Sequence, residues 1–91
     1  MAMRQGERVT LVQMGRGQSG IVVEVLGGKG LVRRLGALGI RPGKRVTKIS
    51  SAFFRGPVTL RVDSAQLAIG FGMAGRIVVE VDKELPPSRG R

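Results

Sequence analysis

With 91 residues the chain has room for one domain, which buries only roughly two-thirds of the surface its unfolded form exposes. It contains no Cys, His, Trp or Tyr, which excludes a disulfide framework, thiolate or imidazole catalysis and the usual zinc ligands. Sixteen Lys and Arg against six Asp and Glu leave a formal net charge of +10, which favours anionic partners without choosing among nucleic acid, phospholipid headgroups and an acidic protein face.

The N-terminal "MAMRQGER" lacks the apolar centre of a signal peptide, and no apolar run approaches ~18 residues, so a cytoplasmic protein is expected. Thr10 and Gln13 stand at capping-box spacing, a hydroxyl followed three residues later by an amide, which predicts one short helical turn. An extended reading of "RVTLVQM" stays open. Next, "QMGRGQSG" spells Gly15-x-Gly17-x-x-Gly20, the spacing of a dinucleotide fingerprint. That chemistry needs a helix directly after the glycines, because its first N–H groups hold the pyrophosphate. Here Gly20 leads into Ile21-Val22-Val23-Glu24-Val25, whose β-branched side chains favour a strand, and the match is rejected.

"GGKG" ends that strand. Leu31, Leu35 and Leu38 then fall at i, i+4 and i+7, one stripe of a helix with Arg33 on the opposite side. Gly39 occupies the position of a left-handed C′ residue and Ile40 that of the apolar C″ contact. Arg41-Pro42-Gly43-Lys44 predicts a type II turn, since Pro42 presets φ and Gly43 permits φ > 0. "RVTKIS", "RGPVTLRV", "AQLAI" and "RIVVEV" read as strands, with Asp63-Ser64 a turn and "GFGMAG" a tight or helical turn. The polar, Pro-containing end is expected to be a disordered basic tail over 85–91, after a single domain over 1–84. The predicted architecture is mainly β: a small SH3-like barrel of about five strands with one inserted α-helix, a closure that limits exposed sheet edges.

Other motifs are weaker. "GIRPGKR" is one residue short of a P-loop and has Arg45 where a magnesium-binding hydroxyl belongs. "GGKG" has the spacing of a KH-type loop but follows a strand rather than a helix. A basic face from Arg33, Arg34, Arg41, Lys44, Arg45 and Lys48 could track a phosphate backbone. Aromatic platforms are short, however, with only Phe53, Phe54 and Phe71, so nucleic acid is not the expected partner. Glu80, Asp82 and Glu84 share one strand face at period two and could hold a hard cation only weakly, so no metal site is assigned. A serine nucleophile would have only lysine as base, and no catalytic residue is assigned.

The segment "RRLGALGIRPGKRV" resembles the FeoA family (ferrous iron transport protein A), through Leu35, Leu38, Gly39, Ile40, Pro42, Gly43 and Val46. The likeness continues through Thr10-Leu11, Gly17-x-x-Gly20-x-Val22, Gly56-Pro57-Val58 with Arg61-Val62, Leu67-Ala68-Ile69 and Ala74-x-x-Ile77-x-Val79, covering roughly residues 10 to 81. The resemblance implies an SH3-like barrel with a helical insertion. It also implies a small cytoplasmic protein that works by protein–protein contact with FeoB, the membrane ferrous-iron transporter bearing a GTP-binding domain. Association with Fe2+ is implied by the resemblance alone, and no cofactor is evident. Similar domains occur at the C-terminus of iron-dependent repressors of the DtxR type, which carry a helix-turn-helix unit upstream. The alternative readings are a basic small barrel that binds a nucleic-acid backbone and, second, a metal-sensing module.

Two departures stand out. Gly70-Phe71-Gly72-Met73 replaces the family's usual charged turn, with Phe71 and Met73 expected to cap the core, and Lys48 stands where the family often has an apolar strand residue. The expected partner contacts are Arg33, Arg34, Leu38, Arg41, Lys44 and Arg45, facing an acidic partner or the anionic inner surface of the cell membrane. Gly39, Pro42 and Gly43 make the structural turn. For Leu38 and Ile40 burial is expected rather than a bridging role.

Overall fold

The computed structural model describes residues 6–50 and 55–82. Its elements are β1 (Arg8–Thr10), β2 (Ser19–Val25), α1 (Lys29–Ala37), β3 (Arg45–Ser50), β4 (Val58–Val62), β5 (Ala65–Ile69), the short α2 (Phe71–Ala74) and β6 (Ile77–Val81). The strands form one antiparallel sheet in the order β1-β6-β2-β3-β4-β5. The inner face alternates as a half-buried sheet should, with Val58, Leu60 and Val62 inward on β4 and Ile77, Val79 and Val81 inward on β6.

One core cluster takes buried side chains from β2 through β6, with Val9 of β1 packed against it. A flat six-stranded sheet would be about 24 Å across at ~4.8 Å per strand, too wide to direct all of these side chains into one cluster. The sheet therefore curls around its own inner face. Register shifts between Val22 and Glu24 on β2 and between Lys48 and Ser50 on β3 supply the bends. Gly20 permits the close approach of β2 to β6: a Cβ there would lie 2.5 Å from Glu80 O and 2.9 Å from Val81 Cα. The third glycine of the rejected nucleotide motif thus has a packing role.

Both readings of "RVTLVQM" hold, each for its own part. Arg8–Thr10 is a strand too short to show periodicity, and it adds a sixth strand to the five expected. The chain then closes the capping box: Thr10 N–H donates to Gln13 Oε1 at 2.9 Å and Gln13 N–H to Thr10 Oγ1 at 3.3 Å. This turn sends Leu11 and Met14 into the core.

Lys48 corrects the sequence reading that placed it on a basic surface. It faces inward on β3 and is 1% exposed. Its Nζ donates to Val12 O at 3.0 Å and Met14 O at 2.7 Å, main-chain oxygens of the capping-box turn. The backbone repeats the attachment, with Gly17 N–H donating to Lys48 O and Lys48 N–H to Gln18 O. A strand residue that looked solvated is the staple between β3 and the 11–18 segment. Burial lowers the Lys48 pKa from its ordinary 10.5.

Met73 packs on the core as expected, whereas Phe71 is half-buried outside the core cluster, its ring centroid 5.9 Å from the Arg55 guanidinium carbon. Phe53, Phe54, Glu84 and the 85–91 segment lie outside the described residues.

Candidate partner-binding surface

α1 is a poor helix by local chemistry. Its N-cap is Gly28, with no side-chain cap bond and no acidic residue in the first turn, and Gly30 and Gly36 lie within its nine residues. An isolated helix of this length would not persist in water. It is held by packing and by its C-terminus. Leu35 is fully buried and Leu31 packs beside the core.

The C-terminal stop is a Schellman motif, as Gly39 and Ile40 predict. Ile40 N–H donates to Leu35 O at 2.9 Å and Gly39 N–H to Gly36 O at 3.0 Å, with Gly39 at φ 91°. The type II turn follows, with Lys44 N–H donating to Arg41 O at 3.0 Å and Gly43 at φ 97°. Ile40, fully buried, supplies the apolar contact that continues from Leu35.

The same motif overturns the expected burial of Leu38. The helix ends at Ala37, Leu38 is its C-cap, and Ile40 takes the core position one turn beyond Leu35. Leu38 is left 46% exposed, so its side chain is available at the surface.

The sequence-predicted contact residues separate into two groups. Arg33, Arg34 and Arg41 are exposed and make no ion pair among the described residues, and Arg34 sits in the last helical turn, where a cation complements the helix dipole. Lys44 and Arg45 are engaged within the chain. Lys44 Nζ donates to Asp63 Oδ2 at 2.8 Å and Arg45 Nη1 to Asp82 Oδ2 at 2.7 Å. Arg8 and Glu80 form a looser pair at 3.7 Å. Glu80 and Asp82, two of the three carboxylates expected to share a strand face, thus face guanidinium groups, and no group of three or more potential metal-binding side chains occurs among the described residues.

Two residues of this surface were not singled out from the sequence. Leu26, just before α1, is 44% exposed, and Val32 on α1 is 39% exposed. With Leu38 these are the exposed large hydrophobic residues of the described chain, and all three lie between 26 and 38. The available signal was that Val32 lies off the Leu31–Leu35 stripe. No helix among the described residues is long and apolar enough to cross a membrane.

The family model for the FeoA domain matches residues 9–81, a span that contains the Leu35–Val46 motif and every strand but the first residue of β1. The chain belongs to the FeoA family. A crystal structure of an iron uptake regulatory protein (FeoA) is similar at 37% identity with a TM-score of 0.78, over 82% of this chain and 99% of that one. Stenotrophomonas maltophilia FeoA, solved with zinc, shares 23% identity with a TM-score of 0.69 over 82% of this chain and 96% of its own. It is characterised as a prokaryotic SH3 domain protein and as a candidate ferrous iron transport activating factor. A manganese-dependent transcriptional repressor shares the fold at 22% identity and a TM-score of 0.75, but this chain spans only 44% of it. No curated protein sequence matches the chain. The FeoA-family chain therefore has the SH3-like fold its sequence implies, with α1 inserted between β2 and β3.

Proposed function

We propose that this FeoA-family protein is a non-enzymatic accessory factor of ferrous-iron uptake, acting at the cytoplasmic face of the membrane by contact between α1 and a FeoB-type transporter. One observation carries the reading. The exposed large apolar side chains Leu26, Val32 and Leu38 gather on the segment that also presents Arg33 and Arg34 without acidic partners among the described residues. Arg34 and the C-cap Leu38 stand four residues apart, the spacing of neighbours on a helix surface. Apolar side chains supply area that association removes from water, while arginines at the rim select an acidic counterpart.

Family membership and the role ascribed to the S. maltophilia relative support the setting. In this reading Fe2+ is the transporter's cargo rather than a cofactor of this chain. The remaining positive charge steers the protein toward acidic protein surfaces and anionic headgroups at the same membrane.

Co-purification with a FeoB-type GTP-binding domain tests the proposal. Arg33→Glu/Arg34→Glu should reduce complex recovery about tenfold or more, since two rim attractions of up to ~1 kcal/mol each become repulsions. Leu38→Ala should weaken the complex without lowering thermal stability, because Leu38 is outside the core. Undiminished recovery of both variants would remove the α1 face from the interaction.

A further inference from the structure

The two edges of the sheet differ. β1 has three residues and carries Arg8, paired with Glu80. β5 is longer, reads Ala65-Gln66-Leu67-Ala68-Ile69, and contains neither a charge nor a proline. Ala65, Gln66 and Ala68 are exposed and Leu67 is half-buried. Charged residues, prolines and short length are the common means of protecting an open edge. β5 has none of them.

The hairpin geometry shows which backbone groups face outward. β4 and β5 are joined by the two residues Asp63 and Ser64, so Val62 and Ala65 must exchange both hydrogen bonds. Alternation then makes Leu60–Leu67 and Val58–Ile69 the next hydrogen-bonded pairs, while Arg61–Gln66 and Thr59–Ala68 are the pairs without them. The N–H and C=O groups of Gln66 and Ala68 consequently point away from β4, and no turn, loop or cap bond engages either among the described residues.

We propose that the open edge of β5 is a docking site for an extended acidic segment of a partner protein, which joins the sheet as an added strand. This surface is distinct from α1, and the inference does not rest on the reading of α1. An added strand meets Gln66 as a hydrogen-bonded pair, so the opposing side chain lies on the outer face beside Gln66. Arg61 lies next along that row, exposed and with no ion pair among the described residues. From Arg61 across Gln66 to the added residue is about 10 Å between Cα atoms, a gap that extended Arg and Glu side chains close together.

Neighbouring positions of the added strand face the other way, toward half-buried Leu67, and favour an apolar residue. The recognised pattern is an alternation of acidic and apolar residues. A second copy of this chain fits less well. Pairing β5 with itself about Leu67 would set Gln66 against Ala68, leave Arg61 without a carboxylate, and bring together two chains of charge +10.

The probe is a blocked peptide alternating Glu and Val, about eight residues long so that it covers a typical strand. Amide hydrogen exchange read by NMR should show Gln66 and Ala68 protected on peptide addition, with the ladder amides of β4 unchanged. Ala68→Pro removes one outward donor without touching a β4–β5 bond and should abolish the protection at Gln66. Arg61→Glu should weaken the Glu–Val peptide by about fivefold and improve binding of a Lys–Val peptide. The proposal is overturned if protection falls elsewhere, if both peptides bind equally to the unaltered protein, or if sedimentation shows that β5 pairs with a second copy instead. Should Ala68→Pro fail to fold, the reversal of peptide preference in Arg61→Glu decides the matter alone.

Discussion

Replacing Lys48 by Met isolates the staple between β3 and the capping-box turn, since Met keeps most of the side-chain volume and removes the donors. Two acceptors lose their partner. Met14 O is in a buried bond and stays dry, which costs about 1–3 kcal/mol, whereas Val12 O is only partly buried and water can replace the amine. Relief from burying an ammonium group offsets part of this, so the net loss at pH 7 is about 1–2 kcal/mol. For a domain of this size that lowers Tm by about 4–16 °C.

The pH dependence provides a second readout. Because burial holds the Lys48 pKa below its ordinary 10.5, the unfolded chain binds more protons than the folded one between the two values. Wild-type stability therefore gains from Lys48 as pH rises through that window, and the penalty of the charged form is fully present below it. A neutral amine still has two N–H groups for Val12 O and Met14 O, so deprotonation keeps both bonds. Urea unfolding of both proteins at pH 7 and near pH 10 should show the gap between wild type and Lys48→Met widening at the higher pH. A variant as stable as wild type at pH 7, or a gap that narrows with pH, would refute the staple.

Further substitutions test the other parts of the argument. Gly20→Ala places a Cβ against the β6 backbone at 2.5–2.9 Å, and thermal melts should show a loss of about 3 kcal/mol or more; a near-native melt would mean β2 and β6 separate easily. Gly39→Ala should lose about 1–2 kcal/mol in denaturant titration, because φ is 91° and the new Cβ meets Val62 Cγ1 at 3.4 Å; no loss would show that the helix stop is not a constraint. Thr10→Ala removes one side of the capping box, and a fall of about 1 kcal/mol in unfolding free energy is expected. Arg45→Ala breaks a pair with side chains 56% and 46% exposed, so calorimetry should find less than about 1 kcal/mol, and a larger change would mean the pair is structural.

The two proposed interaction surfaces lie on separate elements and differ in physical character. The α1 segment offers side chains: the exposed apolar Leu26, Val32 and Leu38 and the exposed Arg33 and Arg34. The β5 edge offers main-chain donors and acceptors, with Arg61 as the selecting charge. Charge reversal on one should therefore leave the other intact.

What the residues alone determined is whatever closes within a few positions of itself. The Schellman stop at Gly39 and Ile40, the Pro42-Gly43 turn and the Thr10–Gln13 capping box each bond across five residues or fewer, so their spacing is their structure. Alternation likewise marked β4 and β5, and the ordered motifs from Thr10 to Val79 pointed to the FeoA family and its SH3-like fold. Tertiary structure decided what depends on distant segments meeting. Lys48 is buried because the turn at 11–14 lies over β3, and Lys44 and Arg45 are neutralised because β4–β5 and β6 bring Asp63 and Asp82 to them across 19 and 37 residues. Leu38 is exposed because Ile40, beyond the end of the helix, fills the place its stripe had promised. A one-dimensional pattern records which side chains prefer water, but which of them reach it depends on what the curled sheet sets over each position.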